Sequence, residues 1–263
     1  MTSAGASICT DNSDAIEFFK SGGLFLKPVA RVNVCVQLPP LKEAGKSISN
    51  WEVMEKIKNM IKPHGFLSLK IIKSTMEFIR FEGELENKEL VLVVMQRLEG
   101  RSIKLSGFHE QLKVKAGEAK VVFPTRYDWD SYFRDAKNMN EMRPGERPDT
   151  IHIRDIPTRW FASCHSKDKS KPSEEYLKKV FSQFGEIRCV DIPMLDPYRK
   201  EMTGMVKVGS INTFTFGQDL VFDAYIQFKE YIGFVKAMDR LRGMKLLYMD
   251  EDEKCAVASL RVS

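Results

Sequence analysis

Apolar and polar positions along the chain alternate with two periods, and the order in which the periods change occurs twice. "RVNVCVQLP" (31–39) alternates at period two, the pattern of a strand with one buried face. "SNWEVMEKIKNMIK" (49–62) switches to the helical period. Val53, Met54, Ile57, Met60 and Ile61 share one face, and Ser49 or Asn50 is placed to cap the first turn. Strands follow in "FLSLKIIKS" and "MEFIRFEGE", then a helix in "NKELVLVVMQRLEG" (87–100) with Gly100 past its end. "SIKLSG" and "QLKVKAG" complete the set as a last strand or a hairpin.

After residue 150 the same order returns. "TIHIRDIP" (150–157) reads as a strand, "SEEYLKKVFSQFG" (173–185) as a helix, and "IRCVDIPML" and "VFDAYIQF" as strands. "YIGFVKAMDRLRGMKL" (231–246) is the second helix, turning Ile232, Val235, Met238 and Leu241 inward, and "CAVASLRVS" is the closing strand. Two β-α-β-β-α-β copies predict an α+β protein of two ferredoxin-like sandwiches, at 24–122 and 149–263. Each sandwich carries two helices on one face of its sheet and leaves the other face open. Residues 1–23 read as a polar tail with a short helix near Asp14–Lys20. The connector 123–148 is helical rather than flexible, with Trp129, Tyr132, Phe133, Ala136 and Met139 on one stripe. That stripe either docks on a domain or binds a partner, for which Trp129, Tyr132 and Phe133 are the candidates.

An open face on such a sheet is where RNA-recognition motifs hold bases, so the outward residues decide the chemistry. In 221–228 the core set is Phe222, Ala224, Ile226 and Phe228, leaving Asp223, Tyr225 and Gln227 outward. The signature Lys/Arg-Gly-Phe/Tyr-Gly/Ala-Phe-Val-x-Phe/Tyr is met in its second half by Ala224, Tyr225, Ile226 and Phe228. Asp223 stands where an aromatic ring is expected. It removes one stacking surface and sets a negative charge on the face, unless it pairs with His152 or Arg154. In the neighbouring "IHIRDI" (151–156), His152 and Arg154 point outward. The first copy is poorer in rings. "TMEFIRF" offers Met76, Phe78 and Arg80, and its first strand offers Asn33, Cys35 and Gln37. The candidate RNA contacts are thus His152, Arg154, Tyr225, Gln227, Phe78 and Arg80, with Asp223 as a modulator.

Charge and composition narrow the partner. A formal net charge of +5 suits a weak polyanion partner such as single-stranded RNA, and is far from that of a protein that coats nucleic acid. Five scattered cysteines without a C-x-x-C pair read as reduced thiols of the cytosol or nucleus. The N-terminus has no signal-peptide pattern and no run long enough for a membrane span, so a soluble intracellular protein is expected. The string "AGKS" (44–47) imitates a phosphate-binding loop, but the first glycine of that motif falls on Pro40. No histidines share a ligand spacing and no nucleophile or acid–base motif occurs. The expectation is therefore no catalytic residue, no metal and no cofactor. Lys167, Lys169 and Lys171, in "SKDKSKPSEE" (166–175), read as a solvated loop.

Longer strings carry a resemblance. "GKSISNWEVMEKIK", "KSTMEFIRFEGELENK", the connector and "FGEIRCVDIPMLDPYRKEMTG" closely resemble the N-terminal region of the A-kinase anchoring protein 17 family, also described as an arginine/serine-rich splicing factor. The similarity runs over roughly residues 24–263. It implies a non-enzymatic nuclear protein of the speckles that influences alternative splice-site choice and is tied to protein kinase A. The family's anchoring helices and its arginine/serine tail lie beyond the matched region, and this chain has no such run. Kinase anchoring is accordingly not expected of this chain.

Overall fold

Within the segment 1–23, expected to be a loose tail, residues 7–9 and 16–19 are built into a sheet. The computed structural model describes residues 6–39, 48–106, 108, 110–119, 126–135, 147–163, 171–196, 198, 221–250 and 252–263, with the side chains of Arg126, Trp129, Tyr132 and Phe133 excepted. In it β1 (Ser7–Cys9), β2 (Ile16–Phe19) and β3 (Leu24–Pro28) join β12 (Met244–Met249) and β13 (Cys255–Ser259). The order across this sheet is β1-β13-β12-β3-β2. Where a helix was expected near Asp14–Lys20 there is strand β2, because Phe18 is needed in the core. Its ring meets Phe181 edge-on at 5.7 Å and lies 6.1 Å from Phe184. Four residues are too few to distinguish a period of two from one of 3.6, and the pairing partner of this segment's sheet lies at the far end of the chain. Lys27, only 4% exposed, donates to Asp14 Oδ1 at 2.5 Å and to the Asp11 carbonyl at 2.6 Å, which fastens the 11–14 turn to β3.

The chain divides into two compact units, residues 28–121 and a discontinuous one of 1–27 with 122–263. Residues 24–27, expected in the first domain, belong to the second unit. The 28–121 unit holds β4 (Ala30–Gln37), α1 (Asn50–Met60), β5 (Ser68–Ser74), β6 (Phe78–Leu85), α2 (Lys88–Leu98), β7 (Ser102–Lys104) and β8 (Gln111–Glu118). Its sheet runs β5-β6-β4-β8-β7, the ferredoxin-like order extended by one hairpin strand. Ser49 caps α1 by accepting from the Glu52 N–H at 3.4 Å, and Val53, Ile57 and Ile61 are buried on that helix's inner side. Val91, Val94 and Leu98 of α2 pack into the same core as Val32, Val34, Val36 and Phe81.

The second unit carries α3 (Arg126–Asp135), β9 (Thr150–Pro157), α4 (Glu174–Phe181), β10 (Ile187–Asp191), β11 (Val221–Phe228), α5 (Tyr231–Leu241) and β14 (Arg261–Val262). Its second sheet runs β10-β11-β9-β14, again the ferredoxin-like order. Both units are α+β sandwiches. Helix α5 stops short of the expected 246. Gly243 takes a φ of 65°, a left-handed conformation that glycine adopts without strain, and the chain turns into β12 at Met244. Ile232, expected to face inward, is 43% exposed, whereas Val235, Met238 and Leu241 are buried. Gly233 lets α5 settle on β11: a Cβ there would stand 2.9 Å from the Phe228 ring. The closing strand is broken at Leu260, so that β13 lies in one sheet and β14 in the other. Among the described residues no helix is long and apolar enough to cross a membrane. The "AGKS" string, His109, Cys164, His165, Lys167, Lys169, Ala136 and Met139 lie outside the described residues.

Candidate nucleic-acid interface

The open face of β9 and β11 is organised by a bulge that alternation alone does not reveal. Ala224 pairs with Ile153 and Phe222 with Ile156, so Arg154 and Asp155 together oppose the single residue Asp223. Asp155 takes a φ of 59°, a left-handed conformation that costs a non-glycine residue about 1–3 kcal/mol unless its surroundings hold it. Two groups hold it. Its N–H donates to Asp223 Oδ1 at 3.1 Å, and its Oδ2 receives Arg261 Nη1 from β14 at 3.1 Å. The bulge re-phases the strand: Ile156, which a straight strand would turn outward with His152 and Arg154, is buried at 2% exposure.

The predicted contacts come together only in part. His152 and Tyr225 are direct cross-strand partners, and their rings stack on each other, with centroids 4.2 Å apart and planes 8° from parallel. The two rings, both expected to point outward, form one slab, since each ring covers a face of the other. Asp223 Oδ2 lies 3.7 Å from His152 Nε2, an ion pair only when the imidazole is protonated. That distance is too long for a hydrogen bond, and Nε2 finds no other hydrogen-bond partner among the described residues. Gln227 is drawn sideways, donating to Asp149 Oδ2 at 2.9 Å. Arg154 is exposed beside the bulge and opposes Arg261 in register. Asp155 and Arg261 escape a reading of the sequence because a bulge leaves no mark in an alternating pattern.

The open face of the first unit is richer in charge than in rings. Phe78 and Arg80 point outward as expected, while Met76 is not on the strand but in the preceding turn, 77% exposed. Asn33, Cys35 and Gln37 also face outward, on β4. The Phe78 ring is flanked by two cations, Lys73 Nζ at 5.7 Å and Arg80 Cζ at 5.6 Å from its centroid, both within cation–π range. Cys35 pairs with Arg80 on one side and Lys115 on the other, and Arg80 pairs with Lys73. Residues directly opposed across strands share a face, so Lys115, Arg80 and Lys73 form a transverse bar of positive charge. The far end of the face is acidic and internally balanced, with Arg31 3.8 Å from Glu82 and 3.6 Å from Glu84. Lys113 and Lys115 are legible in "QLKVKAG" as alternate outward positions, but nothing in that string sets them apart from any solvated strand face.

The backbone of Trp129, Tyr132 and Phe133 is in α3, as expected of a helical connector, and their side chains lie outside the described residues. Among the described residues no group of three His, Cys, Asp or Glu side chains is placed to hold a metal ion.

Comparison with known proteins fits this geometry. Residues 82–263 match the family described as "AKAP-17A-like, RNA-binding domain". The chain belongs to this family. It is also 57% identical over 260 residues to human A-kinase anchor protein 17A, covering 99% of this chain and 37% of that protein's length. The AKAP-17A-like match opens inside β6, so it takes in the whole His152–Tyr225 face but only part of the first unit. Among solved structures, the N-terminal three RNA-binding domains of the yeast splicing factor Prp24 align over 84% of this chain and 67% of theirs, at 13% identity and a TM-score of 0.23. A Sxl-lethal protein/RNA complex aligns over 88% of this chain and 97% of its own, at 12% identity and a TM-score of 0.22. Two strand orders of this AKAP-17A-like chain, β5-β6-β4-β8-β7 and β10-β11-β9-β14, are themselves ferredoxin-like.

Proposed function

We propose that this chain is a non-enzymatic nuclear regulator of splice-site choice that holds single-stranded RNA on its open sheet faces. The observation that carries the reading is that each unit presents an open sheet face of RNA-recognition order, one bearing the aromatic slab His152–Tyr225 and the other the outward cation bar Lys73–Arg80–Lys115. Rings stack bases without demanding a sequence, and cations hold the backbone. The two faces divide this work. The second unit uses Asp223 and Arg261 to hold its bulge, while the first keeps its cations outward. Speckle localisation follows from the splicing role in the same reading.

Titrating labelled single-stranded RNA against residues 1–263 at several salt concentrations tests it. For single strands, log K falls with log salt at about −0.7 per phosphate neutralised. Replacing Lys73, Arg80 and Lys115 with alanine is expected to flatten that slope by about 0.7 for each cation engaged. An unchanged slope would remove the bar from the interface, and absence of binding at low salt would end the RNA reading.

A second reading, a scaffold that recruits splicing proteins, has its own observation. Strand β5 is a sheet edge that exposes Ile72 at 56%, with Leu67 at 55% and Met76 at 77% just beyond its ends. Such an edge accepts an extended peptide as a further strand. Under this reading, Ile72→Ser lowers recruitment of splicing proteins and leaves the RNA titration unmoved.

The kinase connection in the relative's name does not extend to these helices. Kinase anchoring by an amphipathic helix needs a free apolar stripe, and α1, α2, α4 and α5 bury theirs in the two cores. Immobilised residues 1–263 are expected to retain no regulatory subunit at micromolar concentration. Retention would mean that one of these helices leaves its core or that α3 supplies the stripe.

A further inference from the structure

The sheet built by the N-terminal strands brings two cysteines from opposite ends of the chain face to face. Cys9 on β1 and Cys255 on β13 are direct register partners. Directly opposed residues of antiparallel strands have Cα atoms about 4.5–5.5 Å apart, and their side chains leave the sheet on the same side. A disulfide requires Cα atoms about 4.4–6.8 Å apart. The register therefore meets the Cα-separation condition for a disulfide.

A second observation sets the sulfurs in one neighbourhood. Cys9 Sγ donates to the Asp11 carbonyl at 3.0 Å, and the next residue, Asn12, donates through Nδ2 to Cys255 Sγ at 3.5 Å. Neither cysteine is in a disulfide here, and both are half-buried, so a small oxidant can reach them. Cys35 belongs to the other unit, and Cys189 is exposed on β10, a strand of the other sheet.

We propose that Cys9 and Cys255 are a redox modification site, forming a reversible disulfide that fastens β1 to the hairpin of β12 and β13. The oxidant is a low-molecular-weight disulfide of the glutathione class. One protein thiolate attacks a sulfur of that disulfide and expels one glutathione thiolate, leaving a mixed disulfide. The second protein thiolate then attacks the protein sulfur of the mixed disulfide and expels the other glutathione. Two protein thiols lose two electrons, the oxidant gains them, and the two thiol protons end on the two glutathiones.

The element affected is β1, a three-residue edge strand whose Ile8 side chain is 86% exposed, so little apolar burial holds it in place. Strand β13 continues through Leu260 into β14, whose Arg261 holds the bulge at Asp155. Covalent closure thus steadies an element that ends at the His152–Tyr225 face. The site stands on strand register and does not depend on the RNA reading.

The test equilibrates residues 1–263 with oxidised glutathione, blocks remaining thiols with an alkylating agent and maps peptides by mass. The expected result is a Cys9–Cys255 linked peptide that has lost two hydrogens and disappears on reduction. Cys9→Ser and Cys255→Ser each abolish it, and Cys189→Ser leaves it intact. Amide exchange at Ser7–Cys9 is expected to slow on oxidation of the unsubstituted protein, a readout that needs no variant to fold. Stable glutathione adducts on separate cysteines, or a linkage through Cys35, Cys164 or Cys189 instead, would overturn the assignment.

Discussion

Tyr225→Ala is expected to weaken single-stranded RNA binding by about fivefold to more than a hundredfold, the equivalent of losing one stacked base at about 1–3 kcal/mol. The distinctive expectation lies in the partner variant. His152 and Tyr225 cover one another at 4.2 Å, so a base rests on a two-ring slab rather than on two separate rings. Removing either ring dismantles the same platform, and the combined His152→Ala/Tyr225→Ala variant should bind no worse than Tyr225→Ala alone, within about 0.5 kcal/mol. Two independent platforms would instead give additive losses. Fluorescence anisotropy at one fixed salt concentration measures His152→Ala, Tyr225→Ala and the combined variant, and additivity would refute the slab.

Substitution of Asp223 separates its charge from its hydrogen bond. In sequence the residue looks like an intruder on an aromatic face, and a ring in its place looks like a gain for RNA. In the structure it has a role of its own, because Asp223 Oδ1 accepts the N–H of Asp155, which holds a left-handed conformation. Asp223→Phe therefore removes the acceptor as it adds the ring. A hydrogen bond to a charged group contributes about 1.5–3 kcal/mol, and stability should fall by about that amount in urea or thermal unfolding. Asp223→Asn keeps an acceptor oxygen and removes the negative charge that opposes phosphate. It should hold stability far better than Asp223→Phe while raising RNA affinity. Equal stability of Asp223→Phe and the unsubstituted protein would show that the bulge does not need this contact.

The helices and the core strands of both units were legible in the sequence because each buries one face, and one-sided burial leaves its period in the local sequence. Val53, Ile57 and Ile61, or Leu177, Val180 and Phe181, announce their shared face through their spacing and occupy it in the structure. Outward positions such as Phe78, Arg80, His152 and Tyr225 follow from the same alternation. The sequence could say that these side chains leave the sheet but not what they meet there. That His152 stacks on Tyr225, that Gln227 turns to Asp149, and that Lys73 and Lys115 line up with Arg80 are facts of register between strands, and register is set across the sheet, not along it.

The larger departures from the sequence pattern have the same origin. Residues 7–9 and 16–19 are too short to display a period, and β1 owes its strand form to partners near residue 257. The bulge at Arg154–Asp155 inserts one residue into an otherwise regular alternation and so moves Ile156 from the outward face to the core. Local periodicity determined which segments fold and which faces they bury. Long-range strand pairing alone decided that the N-terminus completes the second unit, that Asp223 props a bulge, and that Cys9 faces Cys255. Pairing energy comes from a partner strand whose position no local window of the sequence contains.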